Sequence, residues 1–355
     1  MINNPFIKED PLSLIMVVIL SFLFLYKFGP AGRRLALLDK PVGRKQHAEN
    51  IPLVGGLGIS AAVFLSISLL PFSLSEFRIL FFATGLLLIV GVLDDQRDVS
   101  PGFKLFAQAL VAIVIVSVDG TVVHNVGDIF SWEDGNRLGL GVLAYPLSAL
   151  AVVGVINAMN MIDGHDGVAS GVFLLSIASI LALAGFAEAW KWHYLLLLFL
   201  ASVLVHLFFN LGLIGGLGHK VFLGDAGSMV LGLVIVYSLI GLSGGDSPVL
   251  RTTLAPWLLG LPLLDMVAVI VVRICRRASP FHADRTHLHH LFLSVGMSRI
   301  QVLVVLLFLH LMLCVVGLLG HSLKMPDWIL FWGMFPVLIV YIAARQALIK
   351  RSLTA

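Results

Sequence analysis

Ile300-Gln-Val-Leu-Val-Val-Leu-Leu-Phe-Leu-His310-Leu-Met-Leu-Cys-Val-Val-Gly-Leu-Leu-Gly320 decides the class of this chain, because the run holds no charged side chain. At 1.5 Å per residue a helix of that length crosses the roughly 30 Å hydrocarbon core of a bilayer. The run is continuously apolar rather than alternating, which excludes a transmembrane β-barrel strand. Working outward, ten further runs read the same way, near 11–28, 51–71, 77–93, 103–118, 140–158, 170–187, 192–209, 227–243, 253–274 and 326–344. The whole composition agrees: of 355 residues 59% are hydrophobic and 12% charged, and the mean hydropathy is +1.02. Soluble domains carry roughly 25% charged residues, so a disordered chain, a nucleic-acid-binding domain and an ordinary soluble enzyme are excluded. The expected fold is an all-α polytopic membrane protein with about eleven transmembrane helices, forming one integral-membrane domain over 1–355. The first run is expected to be a retained span rather than a cleaved leader. Lys8, Glu9 and Asp10 precede it and no small-residue cleavage site follows. Cys275 and Cys314 fall in or beside apolar runs and are expected to be buried thiols, not a disulfide framework.

Lys and Arg in short loops favour the cytoplasm. With the N-terminus periplasmic and the C-terminus cytoplasmic, 17 of the 23 basic residues fall inside, including Lys104, Lys220, Arg273, Arg276, Arg277 and Arg285. The same orientation puts Asp94, Asp95, Asp98, Asp163, Asp166, Asp225 and Asp284 on the inner face. The positive-inside rule gives carboxylates little weight, so their convergence calls for another cause. The loops expected to form a site on that face are 29–50, 94–102, 159–169, 210–226 and 275–299. The outer loop 119–139 reads as a plain solvated connection.

Four segments there could carry chemistry. In Gly91-Val-Leu-Asp94-Asp95-Gln-Arg97-Asp98, Asp94 and Asp98 are one helical turn apart and Asp95 points aside. A hard cation with oxygen ligands relieves such crowding, although helix capping reads as well. Asn157-Ala-Met-Asn160-Met-Ile-Asp163-Gly-His165-Asp166-Gly167 breaks a helix where the membrane ends, so Asp163 and Asp166 can converge on one ligand or simply shape a turn. Phe222-Leu-Gly224-Asp225-Ala-Gly227-Ser228 sets a carboxylate and a hydroxyl at a helix start, where backbone N–H groups attract phosphate oxygens and Asp225 could equally be a cap. Ser279-Pro-Phe-His282-Ala-Asp284-Arg285-Thr-His287-Leu-His289-His290 lacks a zinc pattern and reads as an anion cradle or a solvated basic loop. Asp265, inside the 253–274 run, is expected to face the protein interior on a structural partner. His206 and His310 are expected to be hydrogen-bonded core histidines. No phosphate-binding P-loop and no nucleophile elbow are present. Together the segments supply acids for Mg²⁺, helix-terminal N–H groups and cationic donors on one membrane face, the parts of a phosphoryl-transfer site. A secondary transporter is the rival from another class. It requires ionisable residues near mid-membrane and inverted repeats with broken helices.

The ordered set resembles the polyprenyl-phosphate N-acetylhexosamine-1-phosphate transferases from about Pro52 to His290. The matching text is G-V-L-D-D at 91–95, N-x-x-N-M-I-D-G-x-D-G at 157–167, V-F-L-G-D-A-G-S at 221–228, P-L-L-D-M-V-A at 262–268 and S-P-F-x-x-D-R-x-H-L-H-H at 279–290. The resemblance implies transfer of N-acetylglucosamine 1-phosphate from UDP-N-acetylglucosamine to undecaprenyl phosphate, with release of UMP. Another UDP-N-acetylhexosamine is the alternative donor. It implies a multi-pass protein of the bacterial inner membrane, with its site facing the cytoplasm. The reaction would be the first membrane step of O-antigen or a related cell-surface polysaccharide. By the same pattern Asp94, Asp95, Asp163 and Asp166 are catalytic candidates, and Asp94, Asp95 and Asp225 are candidate ligands of Mg²⁺, with Mn²⁺ as a substitute. Lys104, Asn160, Arg273, Arg285, His287, His289 and His290 are candidates for binding substrate. No nucleic-acid partner is implied, and a homodimer is left open. Two positions depart from the family pattern: His165 stands where Ile or Leu is usual, and Ala283 replaces a common Pro.

Overall fold

A computed structural model describes residues 11–35, 37–39, 50–69, 73–130, 137–185, 189–244, 248–275, 277 and 287–352. Thirteen helices are defined among them: α1 Pro11–Arg34, α2 Gly55–Ser68, α3 Arg78–Arg97, α4 Pro101–Val114, α5 Ala144–Ile162, α6 Val168–Leu183, α7 Trp190–Asn210, α8 Gly224–Ser243, α9 Ala255–Leu258, α10 Gly260–Cys275, α11 Leu288–Ser294, α12 Arg299–Ser322 and α13 Asp327–Ser352. The all-α expectation misses one short antiparallel ribbon, in which β1 (Leu38–Asp39) pairs with β2 (Ile51–Pro52).

A helix falls on every apolar run read from the sequence, but the helices differ in reach. Eight are long and apolar enough to cross a membrane. The run at 253–274 is two helices, 3-10-led α9 and α10, bent by 82° at Leu259, and counting that pair as one span gives nine. The break follows from composition: Pro262, in the first turn after Leu259, has no N–H to donate back across the bend to the Leu258 carbonyl. Helices α2 and α6 are shorter apolar helices of 14 and 16 residues.

Helix α8 is the hub. Within its most apolar window 89% of residues are buried, against 6% for α13. Such burial requires neighbours at backbone distance, and small residues provide it. A Cβ at Gly56 of α2 would lie 2.3 Å from the Gly227 Cα, and one at Gly91 of α3 would lie 2.2 Å from the Ala226 Cα. The first turn of α8 is thus pressed between the starts and ends of α2 and α3. Just before it, Phe222 N–H donates to the Pro52 carbonyl at 2.8 Å, and Gly55 and Gly56 donate back to Phe222 and Leu223 at 2.9 and 3.0 Å.

Three expectations change at this level. Cys314 is buried, but Cys275 is exposed, because it ends α10 beyond the packed bundle. The 119–139 loop, expected to be an outer, plainly solvated connection, is tied down where it is described. Tyr237 Oη donates to Asp119 at 2.8 Å, Trp332 Nε1 donates to the Ile129 carbonyl at 2.9 Å, and Asp128 is 9% exposed. Asp98 does not share a helical face with Asp94. Helix α3 stops at Arg97, and Asp98 turns into the left-handed region (φ 52°) with its N–H on the Asp94 carbonyl at 2.9 Å. The core reading holds for two histidines: fully buried His206 and His310 pair with Ser170 and Ser176, each at 3.0 Å.

Candidate active site

The end of α3, the start of α4 and the start of α8 meet at one ammonium. Ser100 caps α4, accepting from Phe103 N–H at 3.4 Å, and Pro101 opens its first turn, so Lys104 rises one turn in. Its Nζ donates to Asp94 Oδ2 at 2.7 Å and to Asp225 Oδ2 at 3.2 Å. Asp94 is 8% exposed, and its other oxygen accepts from Val99 N–H at 2.8 Å. Asp95, expected to point aside, reaches across instead. It accepts from the backbone N–H of Asp225 at 2.9 Å and of Ala226 at 3.4 Å, and so caps α8. Asp225 therefore does not cap its own helix, and its carboxylate is turned to Lys104. The turn into α8 requires Gly224: φ is +73°, and a Cβ there would lie 2.6 Å from Asp95 Oδ2.

Helix α5 supplies the next layer. It runs unbroken through Asn157 and Asn160 and ends only at Asp163. Asn160 Nδ2 donates to Ser228 Oγ at 3.0 Å, and that hydroxyl donates to the Asp225 carbonyl at 3.3 Å. Burial, with the charges of Asp225, Asp95 and Asp166 around it, pushes the Asp163 carboxyl well above its ordinary range. Asp166 does not join Asp163 on a common partner. It is ion-paired with Lys220 at 2.6 Å, whose ammonium also lies 5.2 Å from the centre of the Phe222 ring. Gly167 N–H donates to Asn210 Oδ1 at 2.7 Å, which ties this turn to the end of α7. His165 Nδ1 is 3.1 Å from the Asp166 carbonyl, and burial lowers its imidazole below the usual value.

The histidine segment closes over that turn. Gly164 is in close contact with His289, since a Cβ on it would lie 2.4 Å from His289 Nε2. His289 is 3% exposed, and burial, then the neighbouring His290 and His287, lowers its imidazole to about 3. The rings of His287 and His289 stack at 6.0 Å, and those of His289 and His290 lie 4.2 Å apart. Asp265 has the structural partner expected of it: its Oδ2 is 2.7 Å from His287 Nδ1. Arg273 is buried in the last turn of α10. Arg285, with His282, Ala283 and Asp284, lies outside the described residues. Lys220 and Tyr341, the latter on α13 with its hydroxyl 2.8 Å from Asp265 Oδ1, were not singled out from the sequence. Lys220 borders the 221–228 motif, a weak signal, whereas an isolated tyrosine in an apolar run gives none.

Among the described residues no three Asp, Glu, His or Cys side chains converge as a ready-made metal site. Asp94 and Asp225, drawn to one ammonium, nevertheless form a pair of hard oxygen donors, the number Mg²⁺ usually takes from protein when phosphates complete its sphere.

Known proteins resemble this chain along most of its length. Residues 77–243, which carry Asp94, Asp95, Lys104, Asp163, Asp166 and Asp225, match the family model described as glycosyl transferase family 4. The chain is 33% identical over 323 residues to the undecaprenyl-phosphate alpha-N-acetylglucosaminyl 1-phosphate transferase of Yersinia pestis, covering 90% of this chain and 86% of that one. The protein of the same name from Escherichia coli (strain K12) is 32% identical over 320 residues, with the same shares covered. That of Haemophilus influenzae is 32% identical over 335 residues, covering 93% and 92%. With its motif residues gathered round the head of α8 and likeness along nine-tenths of its length, the chain belongs to glycosyl transferase family 4, a membrane-embedded sugar-phosphate transferase.

Proposed function

We propose that the protein transfers N-acetylglucosamine 1-phosphate from UDP-N-acetylglucosamine to undecaprenyl phosphate, giving undecaprenyl-diphospho-N-acetylglucosamine and UMP. The observation that carries this reading is Lys104, whose single ammonium joins Asp94 and Asp225 at the mouth of three helices. It comes with relatives named for that transfer. The acceptor phosphate oxygen forms a bond to the β-phosphorus of the nucleotide, and the bond from that phosphorus to the bridging oxygen breaks. The electron pair leaves on UMP. Lys104 offers positive charge to the diphosphate where negative charge accumulates. Mg²⁺, or Mn²⁺ in its place, would be held by Asp225 and Asp94 and would supply further neutralisation of the phosphates. Asp95 keeps Asp225 in register by holding the first N–H groups of α8. Asp163, protonated more readily than an ordinary carboxylate, is the site carboxylate best suited to exchange a proton. A phosphate monoester is already largely ionised at neutral pH, so this contribution is secondary to positioning.

The membrane reading is completed in the same way. Eight long helices, the bent α9–α10 pair, α2 and α6 make eleven crossings, with the site on the cytoplasmic side of the bacterial inner membrane. The product then primes a cell-surface polysaccharide of the O-antigen type. The rival transporter reading has a broken helix in its favour, but Asp265 is the one acidic residue well inside a described span, and it is already satisfied. Purified protein incubated with undecaprenyl phosphate, Mg²⁺ and a panel of UDP-sugars tests the proposal. UMP release with UDP-N-acetylglucosamine, abolished by EDTA and by Asp94→Asn or Asp225→Asn, is the expected outcome. Near-normal turnover in both variants, or a preference for another sugar, overturns it.

A further inference from the structure

Helix α13 lies beyond the segment that carries the family's motifs, and it is the least buried of the long helices. It nevertheless turns polar groups inward, among them the buried Arg345 and the Tyr341 hydroxyl. Tyr341 Oη donates to Asp265 Oδ1 at 2.8 Å. That same oxygen accepts from Leu288 N–H, the first amide of α11, at 3.3 Å. The second oxygen of Asp265 is 2.7 Å from His287 Nδ1. Only 4% of the Asp265 side chain and 12% of the His287 side chain are exposed. One carboxylate thus ties together α10, the start of α11 and α13.

A carboxylate can only accept here, so His287 carries its proton on Nδ1 and presents Nε2 as its working end. The tautomer and the ring plane of His287 are set by Asp265, as a carboxylate sets the imidazole it orients in other enzymes. The Asp265 carboxylate is in turn held from rotating by Tyr341, because the remaining bond to its Oδ1 is the longer one from Leu288. We propose that Tyr341 is a positioning residue of the transfer reaction, acting on His287 through Asp265, so that the last helix belongs to the active-site machinery. The proposal rests on the transferase reading above.

A double-mutant cycle on the full-length enzyme, read as UMP release, tests it. Tyr341→Phe is expected to lower kcat about three- to tenfold, the range of one ordinary net hydrogen bond, with KM for the sugar nucleotide within about twofold and the melting temperature nearly unchanged. In a His287→Ala background the same substitution is expected to cost nothing further, since residues that act as a unit are not additive. Tyr341→His, which returns a donor to this position, should recover part of the loss, and it replaces Tyr341→Phe in the cycle if the latter melts early. Tyr145→Phe, on a 53% exposed side chain of α5, serves as the unaffected control. An equal loss in both backgrounds, or no loss at all, overturns the positioning role while leaving the transferase reading intact. Wild-type protein that releases no UMP overturns both.

Discussion

The two ends of the helical bundle handle charge in opposite ways. At the end opposite the site, Asp327 is saturated. Its oxygens accept from Thr253 Oγ1 at 2.7 Å, Arg251 Nη1 at 3.3 Å and Asp128 N–H at 3.1 Å. Arg251 also donates to the carbonyls of Met325 and Gly320 at 2.6 and 2.9 Å. Every partner of Asp327 is a donor or an opposite charge, so this carboxylate closes a helix turn onto a loop and has nothing left over for a ligand. At the site end, Asp94, Asp95, Asp163 and Asp225 crowd one another, with Lys104 the cation that joins two of them. Carboxylates held together against their repulsion store a demand for positive charge, which a cation-bearing phosphate substrate can meet. The charge on Asp327 is matched; that on the four crowded site carboxylates is left short.

That contrast can be broken in three places. Removing the shared cation has the largest expected effect: Lys104→Ala should lower UMP release about 10²- to 10³-fold, the cost typical of a lost group that stabilises transition-state charge. A rate within tenfold of wild type would mean that Lys104 is a structural tie like Arg251. Next comes the matched end. Asp327→Asn should destabilise the protein by about 1–3 kcal/mol, seen as a lower melting temperature, while turnover per folded molecule stays unchanged. A loss of turnover without a loss of stability would erase the distinction between the ends. The smallest effect has the opposite sign. The folded protein holds the Asp163 proton more tightly than the unfolded chain does, so this group stabilises at low pH and that contribution is lost as pH rises through its raised value. Asp163→Asn should therefore melt higher than wild type at pH 8, and the gap should narrow toward the ordinary carboxylate value of 3.8. Melting curves across that range, which show a constant gap if Asp163 titrates normally, decide the point.

Much of the site was legible because its residues sit in short ordered segments with distinctive spacing. Asp94, Asp163, Asp225 and Lys104 could be selected from the sequence, and the structure sets Lys104 one turn into α4. Asp95 was misjudged because helical periodicity describes only its own helix, and the carboxylate turns toward α8, far along the chain. Asp98 was misjudged because a left-handed residue ends α3 one position earlier than the acid spacing suggests.

What the sequence determined by itself is the solvent this chain folds in and the inventory of its chemistry. Eleven apolar runs demand helices, since unpaired backbone has no partner in hydrocarbon, and the few charges left over must be functional or paired. Only the tertiary structure decided which charges are paired. Lys220 holds Asp166 apart from Asp163, Asp95 caps α8 rather than standing free, and Tyr341 reaches Asp265 from the last helix. Those pairings join residues up to 131 positions apart, as with Asp95 and Ala226. They depend on where glycines such as Gly56 and Gly91 let backbones touch. Local periodicity carries no information about contacts of that range, and packing does.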